Sequence, residues 1–283
     1  MNSKFTKTLI LAASLFFGAC AAAFYTLAAI RTLMPSGFFY PKNYFHAALW
    51  NAVISVAIPV IFAVLSKDRA SVAWDVSSPL SVLPLAAVGF CSVLVSYRLF
   101  GAIMANRGGD LMTFGVTLLT FLFGVCLAFS CAFSCIFPKS TRGGAAFLRL
   151  SAPMYFALYA GFLYLSKDFS LSSPIKILSE FAAGFCALFF LAELRLSLGK
   201  LQRRFYLAMC MITAAFSLFI GGGVICAYFC HGDLMAVSLE EAFLNLAVGI
   251  FAVCRFLSVL YASEIRTSPI VEALLAAEDN EEE

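Results

Sequence analysis

The feature that most constrains this chain is a series of eight stretches, each of about 20 or more mainly apolar residues. A helix needs about 20 such residues to cross a hydrocarbon core about 30 Å thick. A membrane β-barrel would instead show short segments of alternating polarity. The sequence therefore predicts an all-α, polytopic membrane protein with about eight transmembrane helices. The predicted spans are 8–30, 44–65, 79–103, 111–137, 145–165, 174–194, 205–230 and 238–262.

Composition excludes the other broad classes. The 283 residues are 62% apolar and 12% charged, and the mean hydropathy is +0.94. Soluble domains are typically about 45–50% apolar and about 25% charged. A soluble globule of this size has too little interior for so much apolar surface, and a disordered chain needs low hydrophobicity. The connections are short, so we predict one membrane domain over 1–266 and an acidic tail over 267–283.

The first span has a second interpretation. Lys4 and Lys7 precede an apolar run that reaches Cys20, as in a lipoprotein signal acylated at that cysteine. Phe17, however, occupies the position where such signals usually carry leucine. The apolar run also continues to Ile30, where a mature lipoprotein becomes polar. We therefore interpret this segment as a spanning helix.

Loop charges predict the orientation, because cytoplasmic loops carry an excess of lysine and arginine. With the N-terminus inside, the cytoplasmic set is Lys4, Lys7, Lys67, Arg69, Lys139, Arg142, Arg195, Lys200, Arg203, Arg204 and Arg266. The outer set is only Arg31, Lys42, Arg107 and Lys167. Both termini are expected to be cytoplasmic, in a bacterial plasma membrane. The acidic tail is a candidate contact for a protein partner, and we expect no nucleic-acid partner.

Two stretches repeat at a separation of 95 residues. Ser77-Ser78-Pro79 through Cys91 matches Ser172-Ser173-Pro174 through Cys186, and Cys131–Cys135 matches Cys226–Cys230. Leu65-Ser66-Lys67-Asp68 also recurs as Leu165-Ser166-Lys167-Asp168 with a different loop length. The candidate repeat halves are 44–137 and 145–230. Since the shift is three helices, the halves would have inverted topology, an arrangement found in secondary transporters. Chance similarity among apolar segments is the alternative.

The last predicted span carries a polar stripe. Glu241, Asn245, Val248, Ala252 and Arg255 follow one another at helical spacing, so they share one face. Ionisable residues at membrane depth usually face the bundle interior or a wet cavity. The sequence therefore predicts a ligand-binding face on this helix.

Four charged residues of other spans are candidate partners for that stripe. We expect Arg98 and Glu180 to lie near Glu241, and Arg149 and Glu193 near Arg255. These groups would then line a polar pathway. Structural ion pairs, or arginines that extend to the lipid headgroups, are the alternative interpretation.

Gly221, Gly222 and Gly223 interrupt the predicted span 205–230. Broken helices in transporters expose backbone groups that hold substrate. Close packing between helices is the alternative explanation, because small residues such as glycine let helix backbones approach each other. We include the three glycines in the candidate binding site.

No signature of an enzyme or a cofactor is present. Walker A, HExxH and GxSxG sequences are absent. His231 has Cys226, Cys230 and Asp233 nearby, but their spacing matches no zinc pattern. His46, the second histidine, is also at a predicted outer surface, so we expect neither haem nor metal. The ten cysteines mostly lie in apolar runs, as packing residues do.

The sequence thus favours a permease or transporter for a small solute or ion. The alternative is a membrane-embedded scaffold, sensor or accessory subunit without transport activity. An intramembrane enzyme is the least favoured, since no nucleophile–base pair stands out.

Overall fold

The apolar runs of the sequence form long helices in the computed structural model. It describes residues 4–33, 39–40, 42–66, 79–105, 111–137, 143–165, 172–197, 202–231 and 238–261. Each of the eight predicted segments is helical, with ends within a few residues of the prediction. The helices are α1 Lys4–Thr32, α2 Asn43–Leu65, α3 Pro79–Ala105, α4 Leu111–Ile136, α5 Gly143–Leu165, α6 Pro174–Ser197, α7 Arg203–Ser217, α8 Gly223–His231 and α9 Leu239–Tyr261.

A π-helical segment, Leu218–Gly222, joins α7 to α8. The three pieces form one rod, which corresponds to the single predicted span 205–230. Among the described residues, seven helices are long and apolar enough to cross a membrane, counting this rod once. Helix α5 is not one of the seven, and the side chains of its first residues, 143–147, lie outside the described part of the chain.

Helix α9 lies at the centre of the packing. It contacts α3 on one side and the α7 rod on the other. The order α3, α4, α5, α6 continues from one neighbour to the next, and α6 returns to α7. The pair α1 and α2 packs together and against α7. The α7 rod and α9 are accordingly the most buried of the apolar helices.

Small residues set the separation of the two central rods. A Cβ on Gly221 would lie 2.8 Å from the Ala242 carbonyl oxygen of α9, and a Cβ on Gly249 would lie 2.9 Å from Ser217 Cβ. Neither distance leaves room for a methyl group. Because glycine removes that obstacle, the backbones of α7 and α9 approach closely.

The periphery of the bundle is apolar. Phe16, Val64, Leu83 and Phe129 are all largely exposed on the outer helices. Exposed apolar patches of this extent are unusual on soluble proteins, and they fit contact with lipid. The molecule is therefore a helical bundle with an apolar surface.

Several residues used in the sequence analysis lie outside the described part of the chain. They include the tail 267–283, the Ser77-Ser78 start of the first repeat, the Lys67-Asp68 and Lys167-Asp168 pairs, and Asp233.

Candidate functional site

The predicted polar stripe of α9 faces the interior of the bundle. Glu241, Asn245, Val248, Ala252 and Arg255 are all buried. Helical periodicity alone placed them on one face, and the packing of α3, α6 and α7 around α9 covers that face. The stripe carries polar groups at both ends and small or apolar groups in the middle.

At the N-terminal end of α9, Glu241 pairs with Arg98 of α3. Arg98 Nη1 lies 3.2 Å from Glu241 Oε1, and the side chains are 52% and 5% exposed, respectively. This pairing agrees with the sequence expectation. Because the arginine remains half exposed, the pair alone contributes little to stability.

Glu241 also has a structural task that the sequence analysis missed. The Ser238 amide donates to Glu241 Oε2 at 3.0 Å, and the Glu241 amide donates to Ser238 Oγ at 3.3 Å. This reciprocal arrangement is a capping box, and its Ser-x-x-Glu signature is readable in the sequence. Substitution of Glu241 therefore perturbs the helix start as well as any ligand.

Three buried hydroxyl groups lie close to this pair. Ser96 of α3 and Tyr155 and Tyr159 of α5 have no hydrogen-bond partner among the described residues. Tyr159 lies close to Glu241 and interacts with it electrostatically. A buried polar group without a partner costs about 1–3 kcal/mol. Three buried hydroxyl groups without hydrogen-bond partners therefore favour a polar ligand beside Glu241.

Gly124 of α4 allows these hydroxyl groups to come together. A Cβ at this position would overlap Ser96 Oγ and lie 3.0 Å from the Tyr155 ring. The rings of Tyr155 and Tyr159 stack one helical turn apart, with centroids separated by 5.9 Å. Their i, i+4 spacing was visible in the sequence, but their proximity to Ser96 depends on helix packing.

Asn245 extends the same group of polar residues towards α6 and α7. The Cys186 thiol donates to Asn245 Oδ1 at 3.7 Å and lies 3.9 Å from Ser217 Oγ. Ser217 directly precedes the π-helical segment. We call this set the Glu241 cluster. Its members are Ser96, Arg98, Tyr155, Tyr159, Cys186, Ser217, Glu241 and Asn245.

The glycine run lies beside this cluster and does not break the helix. Gly221 and Gly222 belong to the π-helical segment, and Gly223 begins α8. Gly221 approaches α9, while a Cβ on Gly223 would lie 3.0 Å from the Tyr25 ring of α1. Close packing thus accounts for two of the three glycines. The sequence predicted an irregular helix at these glycines, and the irregularity in the structure is the π-helical turn.

At the other end of the stripe, Arg255 forms a buried fork with Glu193 of α6. Arg255 is 1% exposed. Its Nε donates to Glu193 Oε1 at 2.9 Å, and its Nη2 donates to Oε2 at 3.3 Å. The Tyr206 hydroxyl of α7 donates to Glu193 Oε1 as well. Arg149 of α5 interacts electrostatically with both Glu193 and Arg255.

These four residues, Arg149, Glu193, Tyr206 and Arg255, form what we call the Arg255 cluster. The structure brings together the three charged residues that the sequence grouped, and it adds Tyr206. Tyr206 is the second residue of the predicted span 205–230, and it gave no signal because its partner lies on another helix.

A small cavity adjoins the Arg255 cluster. Its volume is about 50 Å³, and residues of α3, α4, α5, α6 and α9 line it. Arg149 and Glu193 are the charged residues among its described lining, and Ser130 and Ser134 contribute hydroxyl groups. One water-sized probe needs about 10–15 Å³. The cavity therefore has room for a few atoms.

An aromatic layer separates the two clusters. Phe190 stacks on Phe156 with centroids 5.6 Å apart, and Phe251 lies 6.2 Å from Phe190 and 5.8 Å from Phe189. All four rings are buried. Along α6 and α9 the order is a Glu241-cluster residue, a phenylalanine of this layer, and an Arg255-cluster residue, whereas on α5 Tyr155 is adjacent to Phe156 of the layer itself.

The remaining predicted site residue, Glu180, is placed elsewhere. Its described electrostatic contact is Lys176, one turn earlier on α6. The structure shows no described contact of Glu180 with Arg98 or Glu241. Glu180 lies near the start of α6, whereas Cys186 is the α6 residue that reaches the Glu241 cluster.

Metal binding has no support among the described residues. They contain no group of three or more His, Cys, Asp or Glu side chains placed to hold an ion. His46, Cys226 and Cys230 are exposed, and the side chain of His231 lies outside the described part of the chain.

A larger groove runs between α3 and α4 on the outside of the bundle. Its volume is about 860 Å³, and its lining is mainly apolar, with Phe90, Val93 and Phe129 exposed. Such a surface fits lipid chains and offers few polar groups to a solute.

Comparison of the chain with protein families, curated proteins and solved structures finds no match. The function is therefore inferred from the two clusters and the layer between them.

Proposed function

We propose that this protein is a multi-pass membrane permease for a small solute or ion, and that the polar groups in the bundle form its pathway. One observation carries the proposal: buried polar groups lie at opposite ends of α9, and Phe251, packed on Phe189 and Phe190, lies between them along the helix. A permease needs a polar site that is reached from each side and a barrier between the two sides.

The dimensions fit this role. Glu241 and Arg255 are 14 residues apart, which corresponds to roughly 21 Å along a helix that rises about 1.5 Å per residue. A hydrocarbon core is about 30 Å thick. The clusters would therefore lie inside the membrane, near its two faces. In the expected orientation the Glu241 cluster is outer and the Arg255 cluster is cytoplasmic.

The proposal does not depend on the inverted repeat, which stays a prediction. Helices α3 and α4 pack together, as do their proposed counterparts α6 and α7. However, α5 packs extensively on α6, while α2 packs mainly on α1 and α7 and not on α3. The two halves thus share only part of their packing.

Tyr159→Phe is the sharpest test. It removes a hydroxyl that has no partner among the described residues, so the fold should be unaffected or slightly stabilised. Glu241→Gln is less informative, because it also alters the capping box. Tyr97→Phe is the matched control, since Tyr97 lies on α3 with its side chain exposed.

The assay has two stages. Detergent-purified protein is screened by thermal shift against ions, amino acids, nucleobases and vitamins. A compound that stabilises the protein is then followed as a tracer into proteoliposomes. We expect Tyr159→Phe to lower both the stabilisation and the uptake, and Tyr97→Phe to lower neither. Uptake that is unchanged in Tyr159→Phe would contradict the proposed pathway.

A scaffold or accessory subunit is the second candidate. The observation that favours it is that Glu241 caps α9 and Glu193 is fully engaged by its fork. Both charges would then be structural. This candidate predicts a flat compound screen and a stable partner that co-purifies with the full chain but is lost on deletion of 267–283.

A further inference from the structure

We propose that the groove between α3 and α4 binds one long-chain, uncharged amphiphile, of the class of the fatty alcohols. Its hydrocarbon chain would lie along the groove, and its hydroxyl group would bind Ser96. Among the described lining residues, Ser96 alone also belongs to the Glu241 cluster. The site is otherwise separate from the proposed pathway, so binding there does not depend on transport.

The shape of the groove is set by contacts between the two helices. At one end the rings of Phe100 and Phe121 meet, with centroids 5.7 Å apart. Towards the other end the Cys135 thiol donates to a backbone carbonyl of α3 at 3.6 Å. Between these points a Cβ on Gly89 would lie 2.9 Å from Cys131 Cβ. The helices are therefore joined along the floor of the groove, and the groove exists without a ligand.

The groove lies at the depth of the hydrocarbon core. The lining residues of α3 extend from Ala86 to Phe100, which is roughly 21 Å along a helix that rises about 1.5 Å per residue. Val93, in the middle of this stretch, is also near the middle of α3. Since a hydrocarbon core is about 30 Å thick, both ends of the groove would lie inside it. A phospholipid with its headgroup at the interface can place only chain atoms there.

Ser96 adds one hydrogen-bonding group at this depth. Its side chain is buried, and its Oγ has no hydrogen-bond partner among the described residues. The Oγ occupies the space that a side chain at Gly124 would fill. Because Ser96 also lines the groove, a rotation about its χ1 turns the hydroxyl towards a ligand there. A ligand hydroxyl would supply the missing partner, which a phospholipid chain cannot do.

The lining also determines the charge and size of the ligand. The described lining residues include no acidic or basic side chain. An ion without a partner is strongly disfavoured at this depth, so the ligand is uncharged. The volume of about 860 Å³ falls within the range of about 300–1,000 Å³ for small-molecule sites. A single hydrocarbon chain with one small polar group meets these conditions.

The experiment measures thermal unfolding of the full chain in detergent. The probes are 1-tetradecanol, tetradecane and sodium tetradecanoate, which differ only in the end group of the chain. We expect a saturable rise of the unfolding midpoint with tetradecanol. Its half-maximal mole fraction in the micelle should be about fivefold lower than that of tetradecane, as expected for one hydrogen bond between uncharged groups. Tetradecanoate should act no better than tetradecane.

Two variants locate the site by different means. Ser96→Ala should raise the half-maximal mole fraction of tetradecanol about fivefold and leave that of tetradecane unchanged. Val93→Trp fills the groove at an exposed residue and should abolish the response to both probes. Val64→Trp is the matched control, because Val64 is exposed on α2 and does not line the groove. Its responses should equal those of the unaltered protein.

Each variant is first shown to unfold cooperatively without a probe, so that misfolding is not mistaken for lost binding. An unchanged tetradecanol response in folded Val93→Trp overturns the site. Equal potency of tetradecanol and tetradecane on the unaltered protein, or an alcohol preference that persists in Ser96→Ala, overturns the contact with Ser96. A response that does not saturate, or that is lost in Val64→Trp as well, reports an effect on the micelle and overturns the proposal.

Discussion

Removal of Arg255 tests the Arg255 cluster most directly. Arg255 is the largest fully buried side chain among the described residues, and its Nε and Nη2 donate to Glu193 at 2.9 and 3.3 Å. Arg255→Met would leave the Glu193 carboxylate buried without its fork. Breaking a buried pair from one side typically costs about 3–5 kcal/mol. Arg149 would recover part of this loss, so we expect a free energy of unfolding lowered by about 3 kcal/mol.

The double variant separates the pair from its surroundings. Glu193→Gln alone should also be costly, because it leaves two arginines in one buried cluster. Glu193→Gln with Arg255→Met removes both charges and keeps an acceptor for Tyr206. Replacement of a buried pair by uncharged groups is often nearly neutral. The double variant should therefore be less destabilised than the sum of the single variants by about 2 kcal/mol or more.

The assay is reversible unfolding in mixed micelles of increasing SDS fraction, followed by circular dichroism. The half-exposed Arg98–Glu241 pair provides an internal comparison, and Arg98→Gln with Glu241→Gln should show a coupling below about 1 kcal/mol. Additive effects of Glu193→Gln and Arg255→Met would refute the fork. Equal coupling at both pairs would refute the argument from burial.

Three further substitutions test helix packing and capping in the same unfolding assay. Gly221→Ala should lower the free energy of unfolding by about 1–3 kcal/mol, because its Cβ would lie 2.8 Å from the Ala242 carbonyl oxygen. Gly222→Ala is the matched control: its Cβ would meet only a 3.5 Å contact, so the protein should be equally or more stable. Equal effects would contradict the close approach. Arg203→Gln should lower the free energy of unfolding by about 1.5 kcal/mol, since Arg203 Nη2 donates to two C-terminal carbonyls of α9. An unchanged free energy of unfolding would show that this cap is unimportant.

Helix boundaries were accessible from the sequence because each apolar run ends abruptly. The runs that begin at 79, 111 and 174 start at the residues where α3, α4 and α6 begin. Polar connections and Ser-Pro starts mark these positions without any tertiary information. The burial of the α9 stripe was predictable for the same reason, since helical periodicity is a local property.

Partners on other helices were harder to predict. Glu180 was grouped with Arg98 and Glu241 by expected depth, but depth does not fix the face of α6 that meets α9. Tyr155 and Tyr159 were missed because a tyrosine in an apolar helix is usually a packing residue. Their importance follows from orphaned hydroxyls, which only the packing of three helices reveals.

The form of the helix at the glycine run was also not predictable from the sequence alone. The glycine run indicated an irregular helix, yet it could not say whether the helix breaks, bends or widens by one residue. That outcome depends on the contacts of Gly221 with α9 and of Gly223 with α1. Without those neighbours, three glycines are compatible with each alternative.

Arg149 illustrates how far depth along a span can predict a polar contact. It lies near the start of α5, where an arginine commonly extends to the headgroups. In the structure it interacts electrostatically with Glu193 and Arg255, from a half-buried position on the cavity wall. Depth was enough to group these three charges, whereas the fork between Arg255 and Glu193 follows from the packing of α6 against α9, which no local pattern encodes.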